Sequence, residues 1–376
     1  MKKPTKNILL VHSSNDFYGA SKILISIVEL LLKSKYSVFL ILPENGPLNN
    51  HPTIMKTSLI IINMGIFRKK YLNFFGLLNR SFFIIKSTFE IKKYIKKNGI
   101  DLLYNNTSTI ISSTFAAYLS KIPTIYHIHE IPIDSKYYSK FLTKIFNFFP
   151  SKIIAVSNAT KDFWIKKGVI KTKINVIHNG FDFNFLDKNK LHNNKLIFTN
   201  ISRIIPYKGH LFLINLFNEI LKTNKNLILQ IVGDTLPYYK SYLNQLKSKV
   251  KELHIEKNVL FLGYKTDTES ILNNSHFFIH TPIAPDPFPT VLFEAIQSKT
   301  PIIFTANGGS KEILDQSKNG LLIDDKDLNQ SAQLILNYIY NLSLQSNNVD
   351  DAIKFVTKNY NKEIFSKKIK SLISTF

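Results

Sequence analysis

The chain has 376 residues, of which 44% are hydrophobic and 20% charged, a composition typical of a folded protein with enough chain for two domains. Cysteine is absent from the sequence, which excludes disulfides, thiolate metal sites and a cysteine nucleophile. The net charge of +23 is concentrated in residues 1–185, which carry 26 Lys and Arg against 9 Asp and Glu, while the remainder carries 23 against 17. Such an excess favours an anionic partner, a phosphate-bearing surface or a nucleic acid, although a solvated lysine-rich surface would give the same count.

The N-terminal segment lacks the pattern of a signal peptide. Its apolar run ends at Val11, where His12 and three further polar residues interrupt it too early for an export signal. Elsewhere no uninterrupted apolar run approaches the length that spans a bilayer. We therefore expect a cytoplasmic protein whose membrane contact, if any, is peripheral and on the inner face.

The first half of the chain alternates between strand and helix patterns. Asn7–Val11 is an apolar run typical of a buried parallel strand, and Gly19–Lys33 carries apolar residues at helical spacing before a second strand at Ser37–Leu42. The strand pattern recurs at 101–104, 123–127 and 152–156. Strands that alternate with helices predict a parallel sheet with helices on both faces.

A second series of the same kind begins at Leu196. Its strand patterns lie at 196–201, 227–232, 259–262, 277–280 and 301–304, with helical stretches at 211–221 and 238–253. We predict an α/β protein with two Rossmann-like, doubly wound domains facing each other across a cleft, joined in the charged stretch 182–194. The predicted domains are 1–182, together with a C-terminal helix at 353–376, and 183–352.

Polar residues follow two strands of the first half, where sheets of this class bind ligands. Gly19 lies in the turn after the first strand, within Tyr18-Gly19-Ala20-Ser21. His127 and His129 share one face of a later strand, and His129 is nearer the carboxyl end. For His127 the sequence favours a hydrogen-bonded structural role and a functional role equally. Together with Glu130 the two histidines could also form a metal site.

Residues 68–97 combine aromatic and basic side chains. The aromatics are Phe74, Phe75, Phe82, Phe83, Phe89 and Tyr94, and the bases are Arg68, Lys69, Lys70, Arg80, Lys86, Lys92, Lys93, Lys96 and Lys97. Basic helices with aromatic faces bind anionic membrane interfaces. A Rossmann-like domain also needs a helix before the strand at 101–104. The apolar side chains of this segment would then pack in the hydrophobic core rather than on a membrane.

Two cations follow the first strand of the second half. Arg203 and Lys208 flank a short loop that ends at Gly209. A guanidinium binds phosphate oxygens in bidentate fashion and an ammonium adds a point charge, so the pair suits a diphosphate. Loop cations are more often simply solvated, and it is the position after a strand that favours a site here.

The most informative segment runs from Asp286 to Glu294, two acids eight positions apart. Pro289 suits the first turn of a helix, where its missing N–H costs nothing, so we predict that a helix starts there. The N–H groups of Thr290 and Val291 would then present the positive end of the helix dipole to a diphosphate. An acid near a helix start is also common as a dipole-complementing cap.

In their order along the chain these segments resemble glycosyltransferase family 4, which has the GT-B fold of two Rossmann-like domains. Three further stretches, 154–158, 176–182 and 306–312, resemble the family's strand-end segment, its inter-domain joint and its Gly-Gly loop. The resemblance covers about residues 7–325. There are two departures: Asp286 stands where the family usually has glutamate, and Tyr18 stands where it commonly has the first of two glycines.

The resemblance assigns roles to individual residues. It implies that Asp286 contacts hydroxyls of the donor sugar, that Glu294 holds the ribose, and that His129 lies beside the sugar. The implied donor-binding residues are Gly19, Arg203, Lys208, Asp286, Pro289, Thr290, Val291 and Glu294. The implied catalytic residues are His129, Arg203, Lys208 and Asp286. The first domain is then the acceptor side and the second binds the nucleotide-sugar.

The implied function is that of a retaining, hexosyltransferase-type enzyme that moves a sugar from a nucleotide-sugar to a glycan or lipid-linked acceptor, in cell-surface polysaccharide or lipopolysaccharide assembly. The resemblance implies neither a cofactor nor a metal. A nucleotide-sugar 2-epimerase of the same fold is an alternative, but the loop of Arg203 and Lys208 together with the Asp286–Glu294 pair favours transfer. A basic, non-catalytic nucleic-acid-binding protein is a second alternative. The sequence contains no nucleic-acid recognition motif, so we expect no nucleic-acid partner.

Overall fold

The computed structural model describes residues 6–66, 74–133, 136–186, 195–314 and 318–376. The chain divides into two compact units, the first made of Met1–Gly180 with Lys362–Phe376 and the second of Phe181–Asn361. Each unit contains one parallel sheet with helices between successive strands. The predicted fold class, α/β with two Rossmann-like domains, is confirmed.

The sheet of the first unit has seven strands in the order β3-β2-β1-β4-β5-β6-β7. They are β1 (Asn7–Val11), β2 (Ser37–Leu42), β3 (Ser58–Ile61), β4 (Leu102–Asn105), β5 (Thr124–Ile128), β6 (Lys152–Ala155) and β7 (Ile174–Val176). Strand β1 pairs in parallel with both β2 and β4, and its residues from Ile8 onward are fully buried. The order reverses between β1 and β4, which makes the carboxyl ends of these strands the ligand-binding edge of the sheet.

The described residues of the first unit form six α-helices. They are α1 (Gly19–Lys33), α2 (Phe74–Lys97), α3 (Ser112–Ser120), α4 (Lys136–Phe148), α5 (Asn158–Lys166) and, at the end of the chain, α13 (Lys362–Ile373). The buried side of α1 includes the apolar residues at helical spacing, Ile23, Ile27, Leu30 and Leu31. Helix α13 is tied to α1 by an ion pair of 2.9 Å between Lys362 Nζ and Glu29 Oε2.

The sheet of the second unit has six strands in the order β10-β9-β8-β11-β12-β13. They are β8 (Leu196–Ile201), β9 (Leu227–Val232), β10 (Val259–Gly263), β11 (Phe277–His280), β12 (Ile302–Thr305) and β13 (Leu321–Ile323). The helices are α6 (His210–Thr223), α7 (Lys240–Glu252), α8 (Thr268–Asn273), α9 (Val291–Gln297), α10 (Ser310–Ile313), α11 (Leu328–Ile339) and α12 (Leu342–Asn359). Strand β8 pairs with β9 on one side and β11 on the other, so the switch point again lies beside the first strand.

The C-terminal segment divides between the two units. The sequence predicts one helix at 353–376 that joins the first domain, whereas the structure has α12 in the second unit and only α13 in the first. The break follows α12 because the ring of Tyr360 packs at 5.7 Å from Phe288 and 5.5 Å from Phe293, within the second unit. Part of the predicted joint, 187–194, lies outside the described residues.

Candidate active site

The carboxyl edge of the second sheet holds a buried ion pair between Lys208 and Asp286. The Asp286 side chain is only 8% exposed and that of Lys208 25%. His280, the last residue of β11, places Nε2 3.6 Å from Asp286 Oδ2. The structure thus brings together two predicted site residues and adds a histidine that the sequence analysis did not single out.

The backbone of Asp286 is seated against the Gly308-Gly309 turn that follows β12. Its N–H donates to Asn307 O at 3.2 Å, and its carbonyl accepts from the N–H of Gly309 at 2.7 Å. Gly308 has φ of 81°, and a Cβ there would lie 2.3 Å from Asp286 O. A side chain at position 308 would push the main chain of Asp286 away and move its carboxylate with it. Glycine therefore allows the close approach by which the turn positions Asp286.

The loop that carries Lys208 is fixed in a similar way. Pro206–Lys208 forms a single 3₁₀ turn that ends at Gly209, whose φ is 74°. A Cβ on Gly209 would lie 1.9 Å from Thr281 O, just beyond β11. The N–H of Ile283 donates to Tyr207 O at 3.0 Å, so this loop is joined to the segment between β11 and Asp286.

The charges of this cluster follow from burial and proximity. Burial alone would raise the pKa of Asp286, but the ammonium of Lys208 and the nearby His280 outweigh it and hold the pKa below its usual value. Burial lowers the pKa of His280 to about 4, with Asp286 opposing and Lys208 adding to the shift. At neutral pH the site therefore contains an ionised carboxylate, an ammonium and a neutral imidazole. An ammonium has three donors, so Lys208 can bind Asp286 and an anionic ligand together.

Arg203 lies two residues beyond β8 and is half-buried. The residues on either side of it are anchored, because Ser202 N donates to Val232 O at 3.0 Å and Ile204 N to Asp234 O at 2.9 Å. Gly233 approaches so closely that a Cβ would lie 2.0 Å from Ser202 O. The loop from Arg203 to Lys208 is therefore held at both ends, with its two cations at the ligand-binding edge.

Helix α9 begins at Val291, two residues after the predicted start at Pro289. The difference arises because the chain first makes a tighter turn, in which Leu292 N–H donates to Pro289 O at 3.2 Å. Thr290 is the N-cap residue. The main-chain N–H groups of Thr290 and Val291 belong to the first turn of the helix, where N–H groups have no acceptor within the helix itself. Glu294, on the same helix, accepts a hydrogen bond of 2.8 Å from Thr268 Oγ1 of α8.

In the first unit, the two histidines occupy different environments. His127 is fully buried within β5, with Nδ1 3.0 Å from the hydroxyl of Tyr104, as suits a structural residue. His129 is half-buried beyond the end of the strand, and its Nε2 lies 3.0 Å from Asn106 Oδ1. Burial, with smaller contributions from His127 and His12, holds the pKa of His129 well below its usual value.

Glu130 is held by hydrogen bonds within the protein. Its carboxylate accepts from Thr107 Oγ1 at 2.5 Å, from Ser108 N at 3.1 Å and from His129 N at 3.2 Å. Among the described residues, no cluster of three His, Asp or Glu is arranged to hold a metal ion. The carboxylate of Glu130 thus joins the loop after β5 to the loop after β4.

Gly19 is the first residue of α1, with Tyr18 as the N-cap residue. The turn before the helix is organised by Asp16, whose Oδ1 accepts from Tyr18 N at 3.1 Å and from Ser21 Oγ at 2.8 Å. The sequence analysis assigned no role to Asp16, Asn106 or His280, which the structure places at or just beyond the carboxyl ends of strands in their respective sheets. The signal was present for Asn106 and His280, since each is polar at or just after the end of an apolar strand.

Both halves of the chain match family models of glycosyltransferases. Residues 17–185 match the family model described as "Glycosyltransferase Family 4", and residues 182–355 match the model described as "Glycosyl transferases group 1". The chain is 25% identical over 346 residues to an Escherichia coli UDP-Gal:alpha-D-GlcNAc-diphosphoundecaprenol alpha-1,3-galactosyltransferase, covering 82% of each chain. It is also 25% identical to a capsular polysaccharide biosynthesis glycosyltransferase, CapM, of Staphylococcus aureus, covering 70% of this chain and 73% of the relative.

The whole chain is also similar to solved structures. The Anabaena protein HepE, crystallised with UDP and glucose, superposes with a TM-score of 0.83 at 22% identity, over 99% of this chain and 100% of that one. A sucrose-phosphate synthase from Thermosynechococcus elongatus superposes with a TM-score of 0.78 at 17% identity, over 98% of both chains. At these identities the likeness shows the fold alone, which is that of GT-B enzymes.

The protein is a glycosyltransferase with the GT-B fold. Each half of the chain matches one of the two glycosyltransferase models, and the relatives that match it along most of its length are glycosyltransferases. Within that class it is of the family 4 kind. The two alternatives, an epimerase of the same fold and a nucleic-acid-binding protein, find no support in these relatives.

Proposed function

We propose that the protein transfers a hexosyl group from a UDP-sugar to a glycan or lipid-linked acceptor, with retention of anomeric configuration and without a metal or other cofactor. The observation that carries the proposal is the buried Lys208–Asp286 pair at the ligand-binding edge of the second unit. It combines a cation suited to phosphate with a carboxylate suited to sugar hydroxyls. The donor and acceptor classes are supported by the relatives, one of which is named for UDP-galactose and a diphosphoundecaprenol-linked sugar.

The proposed division of labour follows from the charges. Arg203 and Lys208 neutralise the diphosphate, on which negative charge grows as the glycosidic bond breaks. The amides of Thr290 and Val291, the two residues after Pro289, add donors to the same phosphates. Asp286 orients the sugar through its hydroxyls, and Glu294 holds the ribose.

We also assign donor contacts to two residues of the first unit. Gly19, at the start of α1, lets the turn after β1 approach the donor, and His129 contacts the sugar. A double displacement would need a carboxylate nucleophile close to a general acid. We instead assign a front-face mechanism, in which the leaving phosphate deprotonates the acceptor and the protein contributes positioning and charge neutralisation.

The test is transfer by single variants of the two cations. Lys208→Ala and Arg203→Ala are expected to lower turnover by at least about 100-fold, because each removes a preorganised charge at the departing diphosphate. Lys222→Ala is the matched control, since Lys222 forms an exposed pair with Glu219 at the end of α6. A thermal-shift panel of UDP-, GDP- and ADP-sugars identifies the donor beforehand. Wild-type turnover in either cation variant would remove these residues from the mechanism.

We further propose that the protein works at the inner face of the cytoplasmic membrane, and that α2 is its contact. Within the described residues, none of the helices is long and apolar enough to cross a bilayer. Helix α2 instead exposes a stripe of large apolar side chains three or four residues apart. The stripe is Phe75 (81% exposed), Leu78 (56%), Phe82 (61%), Ile85 (60%) and Phe89 (60%).

The charges around the stripe favour an anionic lipid surface as its partner. Four exposed lysines, Lys92, Lys93, Lys96 and Lys97, follow Phe89 in the last turns of α2. The opposite side of α2, with Ile91 and Ile95, is buried in the core, so the exposed stripe is a second apolar face. Apolar side chains that enter the interface beside lysines that meet phosphates are the two components of peripheral binding. The predicted bases Arg68, Lys69 and Lys70 lie outside the described residues.

Liposome flotation tests this contact. Replacing Lys92, Lys93, Lys96 and Lys97 with serine should abolish binding to vesicles with phosphatidylglycerol, as should Phe82→Ser with Phe89→Ser. The control replaces four exposed lysines of the second unit, Lys240, Lys247, Lys251 and Lys257, and removes the same charge. Equal losses from the two four-lysine variants would show a general charge effect and would contradict a specific role for α2.

A further inference from the structure

A continuous chain of hydrogen bonds leads from the first turn of α1 to His129. Asp16 Oδ1 lies 2.8 Å from Ser21 Oγ, and Ser21 Oγ lies 3.0 Å from His12 Nε2. His12 Nδ1 lies 3.3 Å from Asn106 Nδ2, and Asn106 Oδ1 lies 3.0 Å from His129 Nε2. We call Asp16, Ser21, His12 and Asn106 the Asp16 chain. Three of its members, Ser21, His12 and Asn106, are at most 1% exposed.

The orientation of the Asn106 amide is fixed by a main-chain oxygen. Asn106 Nδ2 lies 3.0 Å from the carbonyl oxygen of Ala20, which can only accept. The NH₂ group of Asn106 must therefore point towards Ala20, and its oxygen must face His129. An amide oxygen also only accepts, so the proton of this hydrogen bond belongs to His129 Nε2.

The hydrogen bonds at the Asp16 end of the Asp16 chain donate in the same direction. The Asp16 carboxylate accepts, so the Ser21 hydroxyl donates to it and the Ser21 oxygen is left to accept from His12 Nε2–H. Burial lowers the pKa of His12 to about 4, so its ring carries a single proton at neutral pH. Nδ1 of His12 lies 3.3 Å from both Asn106 Nδ2 and the main-chain oxygen of Asn106. Because Ser21 Oγ can only accept and so holds the single ring proton on Nε2, Nδ1 is left to accept from Asn106 Nδ2. Every hydrogen bond from His129 to Asp16 donates in one direction, the arrangement in which successive bonds strengthen one another.

We propose that the Asp16 chain fixes the tautomer of His129, so that His129 acts on the donor as a hydrogen-bond acceptor through Nδ1. The inference rests on the proposed function, which places His129 beside the donor sugar. A neutral ring that is protonated on Nε2 offers a lone pair on Nδ1. That lone pair accepts a hydrogen bond from a sugar hydroxyl and repels a phosphate oxygen. The Asp16 chain thus consists of positioning residues, and His129 selects a hydroxyl-bearing group.

The other polar groups around His129 leave this assignment intact. The ring of His127 lies 4.2 Å from that of His129, centroid to centroid, and its Nδ1 is directed to Tyr104. Glu130 accepts from the main-chain N–H of His129. Ser14 Oγ, 3.2 Å from His12 Nε2, can accept from the same N–H as Ser21. Among the described residues, only Asn106 makes a side-chain hydrogen bond to the His129 ring.

The first measurement is the tautomer of His129 in the ligand-free full chain. Long-range ¹H–¹⁵N correlation spectra of protein labelled with ¹⁵N-histidine separate a protonated from an unprotonated ring nitrogen, and a His129→Gln spectrum identifies the signal. At pH 7 we expect a proton on Nε2 and none on Nδ1. A proton on Nδ1, or fast exchange between the two tautomers, would overturn the proposal.

The second measurement links the tautomer to the ligand. Asn106→Asp keeps an oxygen for His129 Nε2–H but adds a charge that favours a doubly protonated ring, which can no longer accept. We expect the ratio of UDP-glucose to UDP affinity to fall about fivefold, the scale of one hydrogen bond, with UDP affinity unchanged. Asn63→Asp, the same change at an exposed position of the first unit, is the control.

The outcomes separate the two proposals. An unchanged affinity ratio in Asn106→Asp, together with a doubly protonated His129 ring in its spectrum, would show that His129 is not an acceptor for the sugar. If the wild-type protein bound no nucleotide-sugar at all, the proposed function would fail. The tautomer measured on the free protein would still show whether the Asp16 chain orients His129.

Discussion

At the scale of single residues, the site depends on the balance between Lys208 and Asp286. The ammonium of Lys208 is the main reason that a carboxylate only 8% exposed stays ionised. His280, 3.6 Å away, is neutral because burial lowers its pKa to about 4, so it cannot take the place of Lys208 at neutral pH. Removing one member of the pair is therefore worse for stability than removing both.

We predict that Lys208→Met destabilises the second unit by about 3 kcal/mol at pH 7, whereas Lys208→Met with Asp286→Asn costs less than that. Without Lys208 the pKa of Asp286 rises, so the deficit of the single variant should shrink as pH falls and the carboxyl takes up a proton. Urea unfolding followed by circular dichroism at pH 7 and pH 5 measures both effects. A double variant less stable than the single one would show that the pair is not coupled.

At this scale the sequence is informative where a pattern involves several residues. The spacing of Asp286 and Glu294 and the Arg203–Lys208 loop marked segments that the structure places at one edge of a sheet. His280 and Asn106 were missed because a single polar residue at a strand end is ambiguous until the neighbouring strand is known. Asp16 was missed because its partners are assembled by the turn before α1 rather than by spacing in the sequence.

At the scale of elements, strands β1 and β2 and helix α1 were predictable because each presents one long apolar pattern. The short strands β3, β7 and β13 were not predicted, since they lie at the edges of the two sheets and have only three or four residues each. The start of α9 was misplaced because proline is also compatible with the tighter turn that precedes this helix.

The junctions between elements depend on glycines, and Gly209 provides the sharpest test. Gly209→Ala should destabilise the second unit by about 3–5 kcal/mol and weaken donor binding, because its Cβ would lie 1.9 Å from Thr281 O. Gly263→Ala is the control: its φ is 68°, but a Cβ there meets nothing within 4 Å. It should cost only the backbone strain, about 1 kcal/mol, and leave binding unchanged. Equal losses in urea unfolding would mean that backbone strain alone explains Gly209.

At the scale of the whole molecule, the two units differ in charge and in the polar groups that they bury. The first unit contains the more basic part of the sequence and encloses three histidines at its ligand-binding edge. Burial lowers the pKa of His12 to about 4 and of His127 to about 3, and holds that of His129 well below its usual value. The composition predicted the charge but not the burial of the histidines, which depends on the order of strands in the sheet.

These histidines predict that the first unit loses stability as pH falls from about 6.5 to about 4. In that window the unfolded chain binds protons that the folded chain does not, so each histidine lowers the free energy of unfolding by up to about 1.4 kcal/mol per pH unit. Glu130 opposes this effect, because burial raises its pKa and the folded state takes up its proton first. The net slope is therefore smaller than the about 4 kcal/mol per pH unit that three buried histidines alone would give.

Trp164 makes the measurement specific to the first unit, since it is the only tryptophan of the chain and is fully buried in α5. Urea unfolding followed by its fluorescence at pH 7, 6 and 5 should give midpoints that fall with pH. His127→Phe removes one of the buried histidines from a position that already packs against Tyr104, so its slope should be shallower by about 1 kcal/mol per pH unit. Midpoints that stay constant from pH 7 to pH 5 in the wild-type protein would contradict neutral, buried histidines in this unit, and the assignment of His12 as singly protonated would fail with them.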